Sequence, residues 1–159
     1  MEHVTVVQEL KQHAKLNHKT MHTTWFDLLD AFGGVPHDLL LYVMSHYHIP
    51  NTIIAYITRL YSKLQGQVCK KEWETEIFKF LRGVFQGDPF SGIIFLIAFN
   101  PIIQYIKKHE ETHGYPLVTK AKGVKNVMTT PFADDFNLIT RNKSMHQDLV
   151  RNIKNKINQ

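Results

Sequence analysis

Two adjacent carboxylates set between apolar runs constrain this chain more than any other feature. Pro131, Phe132 and Ala133 lead into Asp134 and Asp135, and Phe136, Leu138 and Ile139 follow. An unpaired charge among apolar groups is costly, so the pair must sit where a cation or water reaches it. The flanking residues suit short strands, which predicts a β-hairpin over 124–132 and 136–139 with the acids at its turn. Along a straight strand neighbouring side chains point to opposite faces, whereas at a turn two acids approach one site. Alone, the pair also fits an ordinary exposed turn, because Asp favours turns.

The chain that carries this pair has 159 residues, about one domain in length, and enough apolar material for a core. Its composition, 43% hydrophobic and 21% charged, is that of a globular protein rather than a disordered one. A formal charge of +5 and a pI near 9.3 favour a polyanionic partner. The single Cys69 excludes an internal disulfide framework and a cysteine-based zinc site. Of the ten histidines, His46 with His48 and His109 with His113 lack the companion ligands of a metal site. The longest apolar run, 93–99, is too short to span a membrane, and no signal peptide is visible. These features predict an intracellular, soluble chain.

Taken in order, the pattern predicts a helix over 2–17 bearing Val4, Val7, Leu10, Ala14 and Leu16. A buried strand follows over 23–29, broken by Gly33 and Gly34. Pro36 opens a helix running to about His48, and another spans 51–63 with Ile54, Ile57, Leu60 and Tyr61 on one face. Two short strands are expected near 66–71 and 75–81, then a glycine-bearing loop over 82–89. A largely apolar helix runs from 90 to about 108, with Pro101 inside it. The segment 109–122 reads as polar surface, and Ser144 as the cap of a last helix with Leu149, Ile153 and Ile157 on one face.

Three stretches carry candidate chemistry. Asp27 follows an apolar strand and precedes a glycine turn, a costly place for an acid that has no cation. Gly83 and Gly87 stand in a loop ahead of a helix, where backbone approaches a ligand closely. The third stretch is the acid pair. If the strands bearing Asp27 and Asp134 lie side by side, their carboxylates converge as a site for Mg²⁺ or Mn²⁺. Two such ions, about 3.5–4 Å apart, serve in-line phosphoryl transfer. Asp88 reads as a loop or helix-start residue and Asp30 as solvated.

In this order, the three stretches resemble motifs A, B and C of reverse transcriptases, most closely those of non-long-terminal-repeat (LINE-like) retrotransposons. Asp27 to Phe32 is similar to motif A, Arg82 to Ser91 to motif B, and Phe132 to Asp135 to motif C, the aromatic-Ala-Asp-Asp box. The resemblance implies an α+β fold, a polymerase palm with an antiparallel sheet backed by helices, incomplete because full fingers and a thumb are not included. It implies a partial reverse transcriptase domain over 1–159. Within it, 1–20 would be a finger–palm junction helix, 21–142 would carry motifs A to C, and 143–159 would start the motif D helix.

By the same resemblance, Asp27, Asp134 and Asp135 would be catalytic. They would hold two Mg²⁺ or Mn²⁺ ions, with the backbone carbonyl of Leu28 as a further metal ligand. Phe32 would take the steric-gate position beneath the sugar, where an aromatic ring selects deoxynucleotides. Gln86 and Gly87 would line the pocket of the incoming nucleotide and template base, and Phe132 would stand beside the primer end. The implied activity is RNA-directed DNA polymerisation within a longer protein, weak or absent in residues 1–159 alone. Partners would be an RNA template, a DNA primer, deoxynucleoside triphosphates and the rest of a retrotransposon polyprotein, with no membrane. Target-primed insertion would place it in the nucleus as well as the cytoplasm. Gly33 departs from the pattern, standing where many relatives have Asp, and Gly92 stands where Pro is more usual. A decayed or domesticated remnant that binds nucleic acid or protein without catalysis fits the truncation and basic charge as well. A metal-dependent nuclease draws no support from the Gln86–Gly87 loop.

Overall fold

Residues 22–26, His-Thr-Thr-Trp-Phe, combine β-branched and aromatic side chains that favour a strand ahead of the first acid, and they find their partner far along the chain. In the computed structural model, which describes residues 2–85, 87–119 and 123–157, strand β1 (His22–Phe26) pairs antiparallel with β8 (Phe136–Thr140). The register runs from His22 opposite Thr140 to Phe26 opposite Phe136. Every residue of β8 is buried, so its run of apolar side chains is explained by cover on both faces.

The chain divides into two compact units, Met1–Leu28 with Asn100–Gln159, and Leu29–Phe99. In the first, helix α1 (Glu2–Leu16) buries Val7, Leu10 and Ala14 against Tyr115, Val127 and Ile139. That spacing is one face of a 3.6-residue helix, and it leaves Val4 and Leu16 exposed. Helix α6 (Lys143–Ile157) packs on β1 and β8 through His146, Leu149 and Ile153. Its cap is Asn142 rather than Ser144: the Asn142 side-chain oxygen accepts the Met145 amide at 3.2 Å.

The second unit contains helices α2 (His37–His46) and α3 (Asn51–Ser62), each preceded by proline, as the sequence predicted. Their inward faces carry Leu40, Val43 and Met44 on α2, and Ile57 and Tyr61 on α3. The two strands expected near 66–71 and 75–81 are four two-residue strands instead. β2 (Gln65–Gly66) pairs with β5 (Phe78–Lys79), and β3 (Cys69–Lys70) with β4 (Trp73–Glu74), one hairpin nested inside the other. Helix α4 (Ser91–Lys107) includes Pro101, and the boundary between the units falls within it.

Two further expectations are corrected by the packing. The stretch 109–122 is not simply polar surface: it holds the short helix α5 (Glu110–His113) and strand β6 (Tyr115–Thr119), and Tyr115 is fully buried. Its phenol lies 3.0 Å from His13 Nδ1, and burial pushes its pKa up. Strand β7 (Gly123–Val127) pairs with β6, not with β8, so the hairpin anticipated around the acids is much shorter than 124–139. The α+β expectation holds at a coarser level: helices with small antiparallel sheets, each of two strands. Among the described residues no helix is long and apolar enough to cross a membrane.

Candidate active site: an acid turn at the end of a buried ladder

The last rung of the β1–β8 ladder is built from two aromatic rings. Phe26 and Phe136 are both buried and stack with centroids 4.6 Å apart and planes within 3°. Asp27 is the residue just after β1 and Asp135 the residue just before β8, so in sequence both adjoin the Phe26–Phe136 rung. Asp27 and Asp135 are exposed and Asp134 is half-buried.

The turn itself is tight. The Phe132 amide donates to the Asp135 carbonyl at 2.8 Å and the Asp135 amide returns the bond to Phe132 at 3.0 Å. Ala133 and Asp134 are therefore the two central residues of a hairpin turn. Ala133 has φ 52°, a left-handed conformation that glycine normally fills at about 1 kcal/mol or more lower cost. The approach to the turn is fixed by side-chain bonding. Asn137, fully buried, accepts the Thr130 amide at 2.9 Å and donates from Nδ2 to the Thr130 hydroxyl at 2.7 Å. Ile139 donates to the Met128 carbonyl at 2.7 Å. Asn137 was not singled out in the sequence, although a lone amide inside an apolar strand is the signal that would have found it.

Asp27, Leu28, Phe132, Asp134 and Asp135 all belong to the first unit. Leu28 is half-buried, and Phe132 presents an exposed ring. Among the described residues no group of three or more His, Cys, Asp or Glu side chains is arranged to hold a metal ion. The donor chemistry nonetheless suits a hard divalent cation. Mg²⁺ keeps several waters and is held by one or two carboxylates together with substrate phosphates, not by a closed protein cage.

The remaining motif residues lie in the second unit. Phe32 is half-buried and stacks on Phe95 of α4 at 4.6 Å, which suits a core ring with one free edge. Beside it opens a cleft of about 830 Å³ lined by Asp30, Phe32, Lys79, Arg82, Gly83 and Phe85, among others. Gly87 has φ 100° with open space where a side chain would project, and Gln86 lies outside the described residues. Asp88 is a loop residue: its carboxylate accepts the Phe90 amide at 2.7 Å just before α4. Asp30, exposed, takes φ 51°, and its carboxylate lies against Gly33. Ser91 is buried at the head of α4, with a hydroxyl that has no hydrogen-bond partner among the described residues.

The fold is shared with solved structures. Telomerase from Candida tropicalis superposes with a TM-score of 0.63 at 17% identity, over 99% of this chain and 29% of that one. The same telomerase in complex with a fragment of telomeric RNA gives 0.61 at 18% identity, over 99% and 26%. The family model described as reverse transcriptase (RNA-dependent DNA polymerase) matches residues 1–159, and the chain belongs to that family. A Pol polyprotein of the type-1 retrotransposable element R2 of Bradysia coprophila is 29% identical over 101 residues, 64% of this chain and 12% of that protein. A type-2 R2 polyprotein of Drosophila melanogaster is 24% identical over 149 residues, 94% of this chain and 13% of that protein. The likeness carried by the three motifs thus holds for the family and for retrotransposon relatives, of whose length this chain spans about an eighth.

Proposed function

We propose that this chain is the acid-bearing palm of an RNA-directed DNA polymerase of the retrotransposon type, acting within a longer protein. The observation that supports this reading most is the pairing of β1 with β8: its last pair is Phe26 with Phe136, Asp27 follows that pair in sequence, and the Asp134–Asp135 turn precedes it. Asp27 and Asp134 would bind two Mg²⁺ or Mn²⁺ ions, with the Leu28 carbonyl and Asp135 completing the set. When bound, the ions would activate an attacking hydroxyl and stabilise the leaving oxygen of an in-line displacement. The chain's own residues would orient the reactants. Phe32, braced by Phe95, would meet the sugar and exclude a 2′-hydroxyl. Gln86 and Gly87 would line the nucleotide and template base, with Gly87 letting a ligand approach the backbone. Phe132, exposed beside the acids, would pack against the primer end. RNA template, DNA primer and deoxynucleoside triphosphates are the corresponding substrates, and the basic charge of the chain suits them.

Titration calorimetry with Mg²⁺ on the wild type and Asp134→Ala tests the site directly. Removing a ligand carboxylate should weaken binding about tenfold or more. Identical isotherms would sink the metal assignment and leave a nucleic-acid- or protein-binding remnant as the reading. In a protein that extends primers, Asp27→Ala and Asp134→Ala should each abolish incorporation.

A further inference from the structure

The turn bearing Phe32 and the loop bearing Gly83 are tied together by a side chain outside the three motifs. His37, the first residue of α2, is half-buried, and its Nε2 lies 2.9 Å from the Gly83 carbonyl oxygen. A carbonyl only accepts, so Nε2 carries the proton and donates. The same ring stacks on Tyr61 of α3 at 4.5 Å, with planes 30° apart. Burial first, and the Asp88 carboxylate second, push the Tyr61 phenol up, so Tyr61 stays neutral and serves as a packing surface.

The backbone around this bond is unusually close. The Gly83 amide donates to the Val35 carbonyl at 2.8 Å, and the Val84 amide to the Phe32 carbonyl at 2.7 Å. Pro36 and Arg82 form an antiparallel bridge. Gly83 has φ 98°, and a Cβ there would come within 3.1 Å of the Gly33 carbonyl oxygen and 3.2 Å of its Cα. Segment 35–37 therefore takes both polar groups of Gly83, its N–H through Val35 and its C=O through His37. The Val35 and Phe32 bonds hold one edge of the contact, and the His37 side chain holds the Gly83 carbonyl.

We propose that His37 is a positioning residue. By gripping the Gly83 carbonyl it sets the spacing between the Phe32 turn and the Arg82–Phe85 loop, and so the width of the cleft these residues line. His37 is not among the residues lining that cleft, so it acts on sugar selection through Phe32 without touching the nucleotide. This rests on the reading above that Phe32 meets the sugar. Because the ring donates from Nε2, the bond survives in neutral and protonated histidine alike.

Two variants of the full chain separate its parts. His37→Gln keeps a donor of similar reach without the ring, and His37→Phe keeps a ring on Tyr61 without the donor. Amide hydrogen exchange at Gly83 and Val84 should be about tenfold faster in His37→Phe and close to wild type in His37→Gln, as expected for loss of one net hydrogen bond. In primer extension by the longer protein that carries this chain, His37→Phe should raise KM for deoxynucleotides severalfold, leave kcat nearly unchanged and admit more ribonucleotide, with His37→Gln restoring all three. Wild-type exchange in His37→Phe would overturn the tie. Faster exchange with unchanged sugar selection would overturn the positioning role. If the longer protein that carries the wild-type sequence extends no primer in Mg²⁺, the selection role falls with the polymerase reading, and the exchange rates show separately whether the tie exists.

Discussion

The two units place their motif residues by different physical means. In the first, β8 is buried along its whole length, and three successive attachments lead into the acid turn: Met128 to Ile139, Thr130 to Asn137 and Phe132 to Asp135. Asn137 is fully buried and bonds Thr130 with both its oxygen and its nitrogen, so a slip of one residue would strand a buried amide, which helps to fix the register of β8. In the second unit the strands are two residues long, and Trp73, Ile77, Phe78 and Leu81 are exposed. Its glycine loop is held by a handful of backbone bonds and by His37. On the proposed reading, the acids that would hold the metal ions adjoin a buried ladder, whereas the loop that would meet the nucleotide is held by a few local bonds, which open at lower free energy.

The largest expected effect breaks the ladder. Phe136→Ala removes a fully buried ring and its stack on Phe26, and should cost about 3–5 kcal/mol in urea unfolding. Phe78→Ala, on the exposed nested hairpin, should cost less than about 1 kcal/mol. Equal losses would erase the contrast between the units. Next comes Gly83→Ala, which meets both an unfavourable φ and the Gly33 backbone, and should cost about 1–3 kcal/mol. A loss no larger than that of Gly87→Ala, where φ is also positive but the space is open, would show that the close approach to Gly33 carries no weight.

How much of this was legible in the sequence differs between the same two regions. Helical periodicity and prolines located α1, α2, α3 and α4, because those signals act within a few residues. The acid turn was legible because a charge pair between apolar runs has few places to go. That β7 pairs with β6 was not, since β-pairing is a choice among distant partners that local pattern does not rank. The region 65–79 was misjudged for a related reason: the expected strands are interrupted at 67–68 and 75–77, where the Thr75 hydroxyl accepts the Val68 amide and the Thr75 carbonyl accepts the Gln67 side chain. The roles of Asn137 and His37 went unseen because each depends on one specific partner, Thr130 and Gly83, brought near only by the fold.

The smallest expected effect sharpens the contrast through two histidines. His37 in the second unit donates to a carbonyl, whereas burial favours the neutral form of His146 in the first. The Thr140 hydroxyl donates to the Asn142 carbonyl at 3.2 Å, so toward His146 Nδ1, 3.0 Å away, it accepts. Nδ1 therefore carries the proton, and Nε2 accepts from the Thr24 hydroxyl at 2.7 Å. The ring thus bridges β1, β8 and α6, and the ionisable group beside it is His22 of β1, with ring centroids 5.9 Å apart. Burial first, and His22 second, hold the His146 pKa below its ordinary value of 6.5. The unfolded chain then binds the proton more readily than the folded one, so stability rises with pH in this range. The contribution is fully present above 6.5 and is lost as pH falls from there through the lowered folded value. His146→Gln supplies a donor and an acceptor but no titrating group. The urea midpoint of the wild type should fall more than that of His146→Gln between about pH 7.5 and pH 5. Parallel declines would mean that the other histidines carry the acid sensitivity, and that the tie of α6 to the ladder is no more sensitive to protonation than the His37 contact.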